Sequence, residues 1–296
     1  MTGVLLIDKP EGPTSHDVVA RIRRATGERS VGHTGTLDPR ATGLLVLVVG
    51  RATRIASLLA SGEKTYECTV RLGVRTDTDD ADGRPLGDPV TELPGDAAID
   101  RALDRFRGTF EQTPPAHSAK KVAGRKAYEL ARREEPVTLA PVTVTVSVLE
   151  RVGRDGDGVH LRLTATSGFY VRALARDLGQ ALGCGAHLHA LRRTRSGRFD
   201  VGSALPLAEA ERIGRDLADR LIPPAEALPH LVAVRLTARG LVRATHGNPL
   251  GPEDLAGRWV PPAATAGPVR MLAEDGRLVA LAHARGGALH PVIVLG

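Results

Sequence analysis

The chain has 296 residues, and its 40 Lys and Arg exceed its 34 Asp and Glu to give a net charge of +6. That length accommodates about two domains of roughly 150 residues each, large enough to need no covalent staples. Two distant cysteines, Cys68 and Cys184, exclude a disulfide framework and a zinc ribbon and fit a reducing cytosol, while the basic balance favours a polyanionic partner.

The first apolar stretch, Val4 to Ile7, has neither the basic flank nor the length of a secretory signal. Ser15 to Thr26 reads as a helix with Ser15 as N-cap and Val18, Val19 and Ile22 on one face. Leu44 to Val49, the longest unbroken apolar run, reads as a buried strand and falls far short of the ~20 residues of a membrane span, so a cytoplasmic protein is expected. A helix from about 51 to 59 follows. Tyr66, Cys68, Val70 and Leu72 alternate with Thr65, Glu67, Thr69 and Arg71, the pattern of a half-buried strand. Asp96 to Arg107 carries Ile99, Leu103 and Phe106 at helical spacing and is closed by Gly108. A basic segment then sets Lys120, Lys121, Arg125, Lys126, Arg132 and Arg133 against a single acid, Glu129. Alternation returns over Val142 to Val148 and Val159 to Leu163. Val171, Leu174, Ala175, Leu178 and Leu182 mark an amphipathic helix, and Pro223-Pro224 reads as a linker. Beyond about His230 come a strand, a helix near 238–245, a hairpin turning at Asp275-Gly276 and a last strand over 291–295. Period-2 strands irregularly interleaved with helices give an α+β class, with a mixed, mainly antiparallel sheet flanked by helices and a small β-rich C-terminal domain.

Four Phe, three Tyr and one Trp, scattered along the chain, do not make a row of base-stacking platforms. The acidic run Asp77 to Gly83 fails as a calcium loop. Aligning Gly83 with the sixth position puts Thr78 first and Pro89 twelfth, where carboxylates are required; the run reads as a loop of hydrogen-bonded turns. Cys184, His187 and His189 lack a fourth ligand, so no metal is expected. They lead into Arg192, Arg193, Arg195 and Arg198, which form either a phosphate-contacting edge or a solvated basic face. The loop from Val31 to Gly43 holds three glycines but neither a P-loop nor a dinucleotide fingerprint. Its one carboxylate, Asp38, stands between Leu37 and Pro39 without the second carboxylate of a glycosidase. The residues themselves leave Asp38 either as a loop cap or as a catalytic carboxylate.

Leu5-Leu6-Ile7-Asp8-Lys9-Pro10, followed by Gly32-His33-Thr34-Gly35-Thr36-Leu37-Asp38-Pro39 and Ala41-Thr42-Gly43-Leu44-Leu45, resembles the signature of the TruB family of tRNA pseudouridine synthases. Lys64-Thr65-Tyr66, Arg75 to Thr78, Ser118-Ala119, Gly124 to Tyr128, Gly168 to Arg172, and Gly183 to His187 leading to Leu191-Arg192-Arg193 extend the resemblance over about residues 3 to 200. With weaker motifs, the tail resembles a PUA-like RNA-binding module. The resemblance implies a pseudouridine synthase catalytic domain over 1–222, with an RNA-gripping insertion at about 114–136, and a PUA-like domain over 230–296. It implies isomerisation of the T-loop uridine of tRNA, position 55: N1–C1′ breaks, the free base turns and C5 joins C1′, with no cofactor and no metal. Asp38 matches the nucleophile, Tyr66 the residue that packs on the base and accepts the C5 proton, and Arg172 the partner of the carboxylate. His33, Tyr66, Tyr170 and Leu191 match positions lining the nucleotide pocket, with His33 filling the space of the flipped base. Lys9, Lys64, Lys120, Lys121, Lys126, Arg192 and Arg193 are expected on the RNA backbone. Arg54, Lys120 and Phe169 depart from residues common at those places, away from the chemistry.

The residue types suit these roles. A cation within ~4–6 Å lowers an Asp pKa by roughly 1–3 units and keeps it ionised, and Arg supplies that charge without losing its proton. Base flipping costs a few kcal/mol, part of it to be met by backbone contacts. Two rival readings stand beside this one. The first is an RNA-folding scaffold. The second is a guide-dependent subunit of the dyskerin group, expected to carry partner-binding segments that a chain beginning so close before its first motif lacks. The expected partner is the tRNA T-arm, bound by a monomer without an obligatory protein partner.

Overall fold

The computed structural model describes residues 1–118, 120–122, 125–126, 139–257 and 267–296, with the backbone alone described at 121–122 and 125–126. β1 (Gly3–Lys9) leads to α1 (Ser15–Thr26), β2 (Val31–His33) and β3 (Thr42–Val49). β1 and β3 pair antiparallel from Gly3 with Val49 to Lys9 with Gly43. Their apolar runs are continuous because both faces are covered. Leu5, Ile7, Leu45 and Leu47 pack with Val18 and Ile22 of α1, whereas Val4, Leu6, Leu44, Val46 and Val48 enter a second core on the other face.

The cap of α1 lies one residue earlier than the sequence suggests. Thr14 accepts from the Asp17 N–H while Asp17 accepts from the Thr14 N–H, a reciprocal capping box. Ser15 is freed to point inward. The expected helix over 51–59 starts as a 3₁₀ turn, Gly50–Ile55, and becomes α2 (Ala56–Ala60).

β4 (Lys64–Leu72), α3 (Asp96–Leu103) and β5 (Gly108–Gln112) precede the basic segment, of which β6 (Lys121–Val122) and β7 (Arg125–Lys126) pair with each other. After it come β8 (Val142–Asp155), β9 (Gly158–Ala165), α4 (Val171–Leu182), β10 (Ala186–Ser196), β11 (Phe199–Asp200) and β12 (Leu205–Pro206). Ten of these strands make one sheet in the order β12-β1-β3-β10-β4-β9-β8-β5, with β11 beside β10 and β2 beside β3. Its pairs are antiparallel except β1 with β12 and β3 with β10. α3 and α4 cover it through Ile99, Leu103, Leu174 and Leu178, packed on Val70, Leu72, Leu161 and Leu163.

α5 (Leu207–Ile213) packs on the α1 side of the sheet through Leu207 and Ala210. α6 (Pro224–Ala227) corrects the expected linker: Ala227 and Leu228 are buried in the second core, because the proline pair starts a helical turn instead of a free connection. Beyond it, β13 (Ala233–Leu236), α7 (Ala238–Thr245), β14 (Leu255–Ala256), β15 (Val269–Leu272), β16 (Leu278–Arg285) and β17 (Ala288–Val294) form the small sheet, ordered β14-β13-β15-β16-β17. Leu278, Leu281 and Leu295 pack into the same core as Val4 and Leu44, and Arg51 donates to the Leu295 carbonyl at 3.0 Å. Among the described residues no helix is long and apolar enough to cross a membrane.

Candidate active site

The loop between β2 and β3 is held from several sides. The hydroxyl of Ser15 donates to the Leu37 carbonyl at 3.0 Å and accepts from its N–H at 2.8 Å, pinning the residue before Asp38. On the far side of Asp38, Lys9 Nζ donates to the carbonyls of Pro39 and Pro10 at 3.0 and 2.9 Å. Beneath the loop, the Arg193 guanidinium donates to the carbonyls of Leu44, Gly35 and Thr36 at 2.7, 3.0 and 3.4 Å. Here β10 meets β3 in parallel, Arg193 opposite Gly43. Gly43 has φ +95°, and a Cβ there would lie 2.3 Å from the Arg193 carbonyl oxygen, so only glycine fits.

Asp38 emerges from this frame opposite Arg172 of α4, with Arg172 Nε 3.1 Å from its carboxylate. The same guanidinium lies 3.4 Å from the Asp80 carboxylate and donates to the carbonyls of Thr78 and His117 at 3.2 and 2.9 Å. One turn on, Arg176 reaches Asp79 at 3.0 Å. The acidic run is therefore more than a loop of turns: it is the wall that shares Arg172 with Asp38. Nothing in the sequence spacing indicates this, because the pairing spans 92 to 97 residues of chain and depends on where α4 docks. Burial raises the Asp38 pKa, outweighing the pull of Arg172, while Asp80 pushes it the same way as burial. Arg172 pulls in the direction expected of the paired cation, but burial outweighs it. With 44% of the side chain still exposed, solvent screening keeps the effect modest.

The other expected site residues divide into two sets. Tyr66 is half-buried on β4, packed on the main core, and its phenol faces the Arg193 guanidinium. Leu191 packs where two cores meet, and Tyr170 caps the start of α4, its phenol pKa raised by burial. His33 stands edge-on to His16, ring centroids 5.3 Å apart; its Nδ1 is buried without a hydrogen-bond partner, and burial lowers its pKa.

Lys9, Lys64 and Arg193 correct the expectation of RNA-backbone contacts. All three are buried with their donors committed to carbonyls, those of Ala60 and Gly62 for Lys64, so they brace the fold instead of meeting phosphate. Burial brings Lys9 and Lys64 down to about 8, with Asp38 and Glu11 opposing it at Lys9. Arg192 remains 40% exposed and is paired with Asp8 at 2.7 Å. Lys120 is half-buried, and the side chains of Lys121 and Lys126, with Arg132 and Arg133, lie outside the described residues. His187 Nδ1 donates to the Val74 carbonyl at 2.8 Å, and among the described residues no three His, Cys, Asp or Glu side chains converge as a metal site.

Comparison with known proteins bears on this arrangement. Residues 23–171 match the family model for the TruB family pseudouridylate synthase N-terminal domain, and 172–228 match that for the tRNA pseudouridylate synthase B C-terminal domain. A tRNA pseudouridine synthase B of Thermobifida fusca is 44% identical over 99% of this chain and 98% of its own. One of Burkholderia mallei is 43% identical over 98% of this chain and 96% of its own. Among solved structures, a chain of a Cbf5-Nop10-Gar1 complex aligns with TM-score 0.74 at 26% identity, covering 99% of this chain and 85% of that one. A chain of an H/ACA RNP bound to a substrate RNA containing 2′-deoxyuridine aligns with TM-score 0.72 at 25% identity, covering 99% and 85%. Joined to a loop-borne carboxylate facing a helix-borne arginine, these matches place the chain in a single lineage: it belongs to the TruB family of pseudouridylate synthases.

Proposed function

We propose that this protein isomerises the T-loop uridine of tRNA at position 55 to pseudouridine, acting in the cytoplasm as a monomer without a protein partner. The observation that carries the reading is the Asp38–Arg172 pair at 3.1 Å, presented by a loop braced by Ser15, Lys9 and Arg193. Identity of 43–44% across nearly the whole chain to proteins named tRNA pseudouridine synthase B, against 26% to the Cbf5 complex chain, favours a tRNA substrate over guide-directed action.

In this reading Asp38 acts at the ribose as the N1–C1′ bond breaks. Uracil leaves with that electron pair, turns and returns through C5; the proton lost from C5 is matched by one gained at N1, so atoms are conserved. Tyr66 stacks on the base and takes the C5 proton, the kind of positioned proton transfer that contributes about 10²–10⁴ in rate. Arg172 fixes the Asp38 carboxylate, and Asp80 fixes Arg172 from its other side. His33, with an unpaired buried nitrogen, fills the space the flipped base leaves, and Tyr170 and Leu191 close the pocket. Arg192, Lys120, Lys121 and Lys126 meet the RNA backbone. The catalytic domain spans 1–222 with its gripping insertion at about 114–136, and 230–296 is a PUA-like RNA-binding domain carrying exposed Arg239 on α7. The purified protein alone, given an unmodified T-arm stem-loop, should form pseudouridine at that uridine only; no product, or product elsewhere, overturns the reading.

A further inference from the structure

Gln112, the last residue of β5 and only 1% exposed, closes a two-bond ring with the backbone of Tyr170. Its Nε2 donates to the Tyr170 carbonyl at 3.1 Å, and its Oε1 accepts from the Tyr170 N–H at 2.9 Å. Tyr170 is the N-cap of α4, which has no side-chain cap, and its carbonyl also accepts the first helical bond from Leu174 at 3.2 Å. The buried amide thus stands where a neighbouring strand would, satisfying both backbone groups of one residue.

The next residues of the same segment meet the same helix. Arg176 donates to the Thr113 carbonyl at 2.8 Å, and Arg172 donates to the His117 carbonyl at 2.9 Å. The chain entering the basic segment is therefore tied at three points to the start of the helix whose Arg172 faces Asp38.

We infer that Gln112 is a positioning residue for the isomerisation: its amide fixes Tyr170, and with it the aim of Arg172 at Asp38, and joins the entry of the basic segment to that turn. The inference rests on the reading of function above. Arg172 lies two residues after the clamped one, so rotation of the helix start moves its guanidinium directly. Misplacement of a reacting group by about 1 Å costs up to about 10²-fold in rate, whereas the cations proposed to meet the RNA backbone are not hydrogen-bond partners of Gln112.

Gln112→Met keeps the volume and removes both hydrogen bonds, while Gln112→Glu keeps an acceptor for the Tyr170 N–H. Pseudouridine formation on a T-arm stem-loop should fall about tenfold or more in kcat for the Met variant, with KM changed less than about threefold, and fall less for the Glu variant. Amide exchange of the peptide spanning 168–176 should quicken in the same order. Equal kcat in wild type and both variants, a loss confined to KM, or a loss that only follows the folded fraction overturns the role of Gln112. Should the Met variant fail to fold, the Glu variant decides by the same criteria. A wild-type protein without turnover overturns the reading of function itself, whereas an active wild type with unchanged variants overturns only this inference.

Discussion

Around Asp38 the molecule is cross-linked by charged side chains that reach across long stretches of chain, whereas beyond Ala233 it is assembled by near neighbours with apolar faces. Arg193 bonds to Leu44 across 149 residues and Arg172 to Thr78 across 94. In the small sheet, β15, β16 and β17 are successive antiparallel strands, and their core is Val234, Met271, Val279, Ala280 and Leu289 with Ala244 of α7. Buried ion pairs and carbonyl-bound cations are costly to desolvate and add little net stability. Around Asp38 they tie together segments far apart in the chain, which points to geometry, not to stability, as what they are retained for. Buried Asp254 of the small domain instead pairs with Arg239 and Arg243, at most 15 residues away. Removing a charge near Asp38 should strike chemistry first, and removing a methyl group elsewhere should strike stability first.

The largest expected effect is that of Asp38→Asn, which keeps shape but removes the charge. Pseudouridine formation should fall below detection while tRNA affinity stays within about tenfold, about 1.4 kcal/mol. Because burial raises the Asp38 pKa, its folded-state ionisation costs stability above that pKa, and the variant should melt no lower than wild type at pH 7. Isomerase activity retained by this variant, with reversion to Asp excluded by mass spectrometry, would remove Asp38 from the mechanism.

Arg172→Met should also abolish turnover, and denaturant unfolding should show a loss of about 2–3 kcal/mol. That lies below the usual 3–5 for a broken buried pair because Asp38 keeps contact with water. Leu281→Ala tests the opposite region. Fully buried in the core that the small sheet shares with residues of β1, β3 and the Gly50–Ile55 turn, it should cost about 2–5 kcal/mol while activity per folded molecule at low temperature is unchanged. Lost activity without lost stability would break the comparison. The shared core also means that cutting the chain near residue 230 would strip Leu278, Leu281 and Leu295 from it and uncover part of that core.

Smaller effects separate the cations proposed to meet RNA from those buried against carbonyls. Neutralising Lys120, Lys121, Arg125 and Lys126 together should weaken tRNA binding and reduce its log–log salt slope by up to about 4, one counterion per phosphate contact; an unchanged slope would deny the segment a gripping role. Lys9 and Lys64 behave differently. Their folded pKa values, about 8, lie below the ordinary 10.5, so the unfolded chain binds more protons between those values and stability rises with pH across that window. Lys9→Met should remove one lysine's share of that slope, measured by denaturant unfolding from pH 7.5 to 10.5.

Local pattern was enough for the elements whose identity is local. The alternation through Tyr66 to Leu72, the amphipathic run from Val171 to Leu182 and the turn at Asp275-Gly276 all appear as a strand, a helix and a hairpin, because period and turn chemistry act over a few residues. The motif around Asp38 was equally legible as a family signature, and Arg172 does lie beside it. What composition and spacing could not express was burial and partnership. A lysine reads the same whether it meets phosphate or, like Lys9, two carbonyls; Asp80 looked like a surface turn until α4 brought Arg172 to it; Thr14 rather than Ser15 capped α1 because Ser15 was needed at Leu37. Gln112 gave no signal at all, since a lone glutamine ending a strand becomes a clamp only when a helix start packs against it. Period and turn chemistry are properties of neighbours in the chain and survive in the sequence. Desolvation and ion pairing are properties of neighbours in space, decided only when sheet and helix close around them.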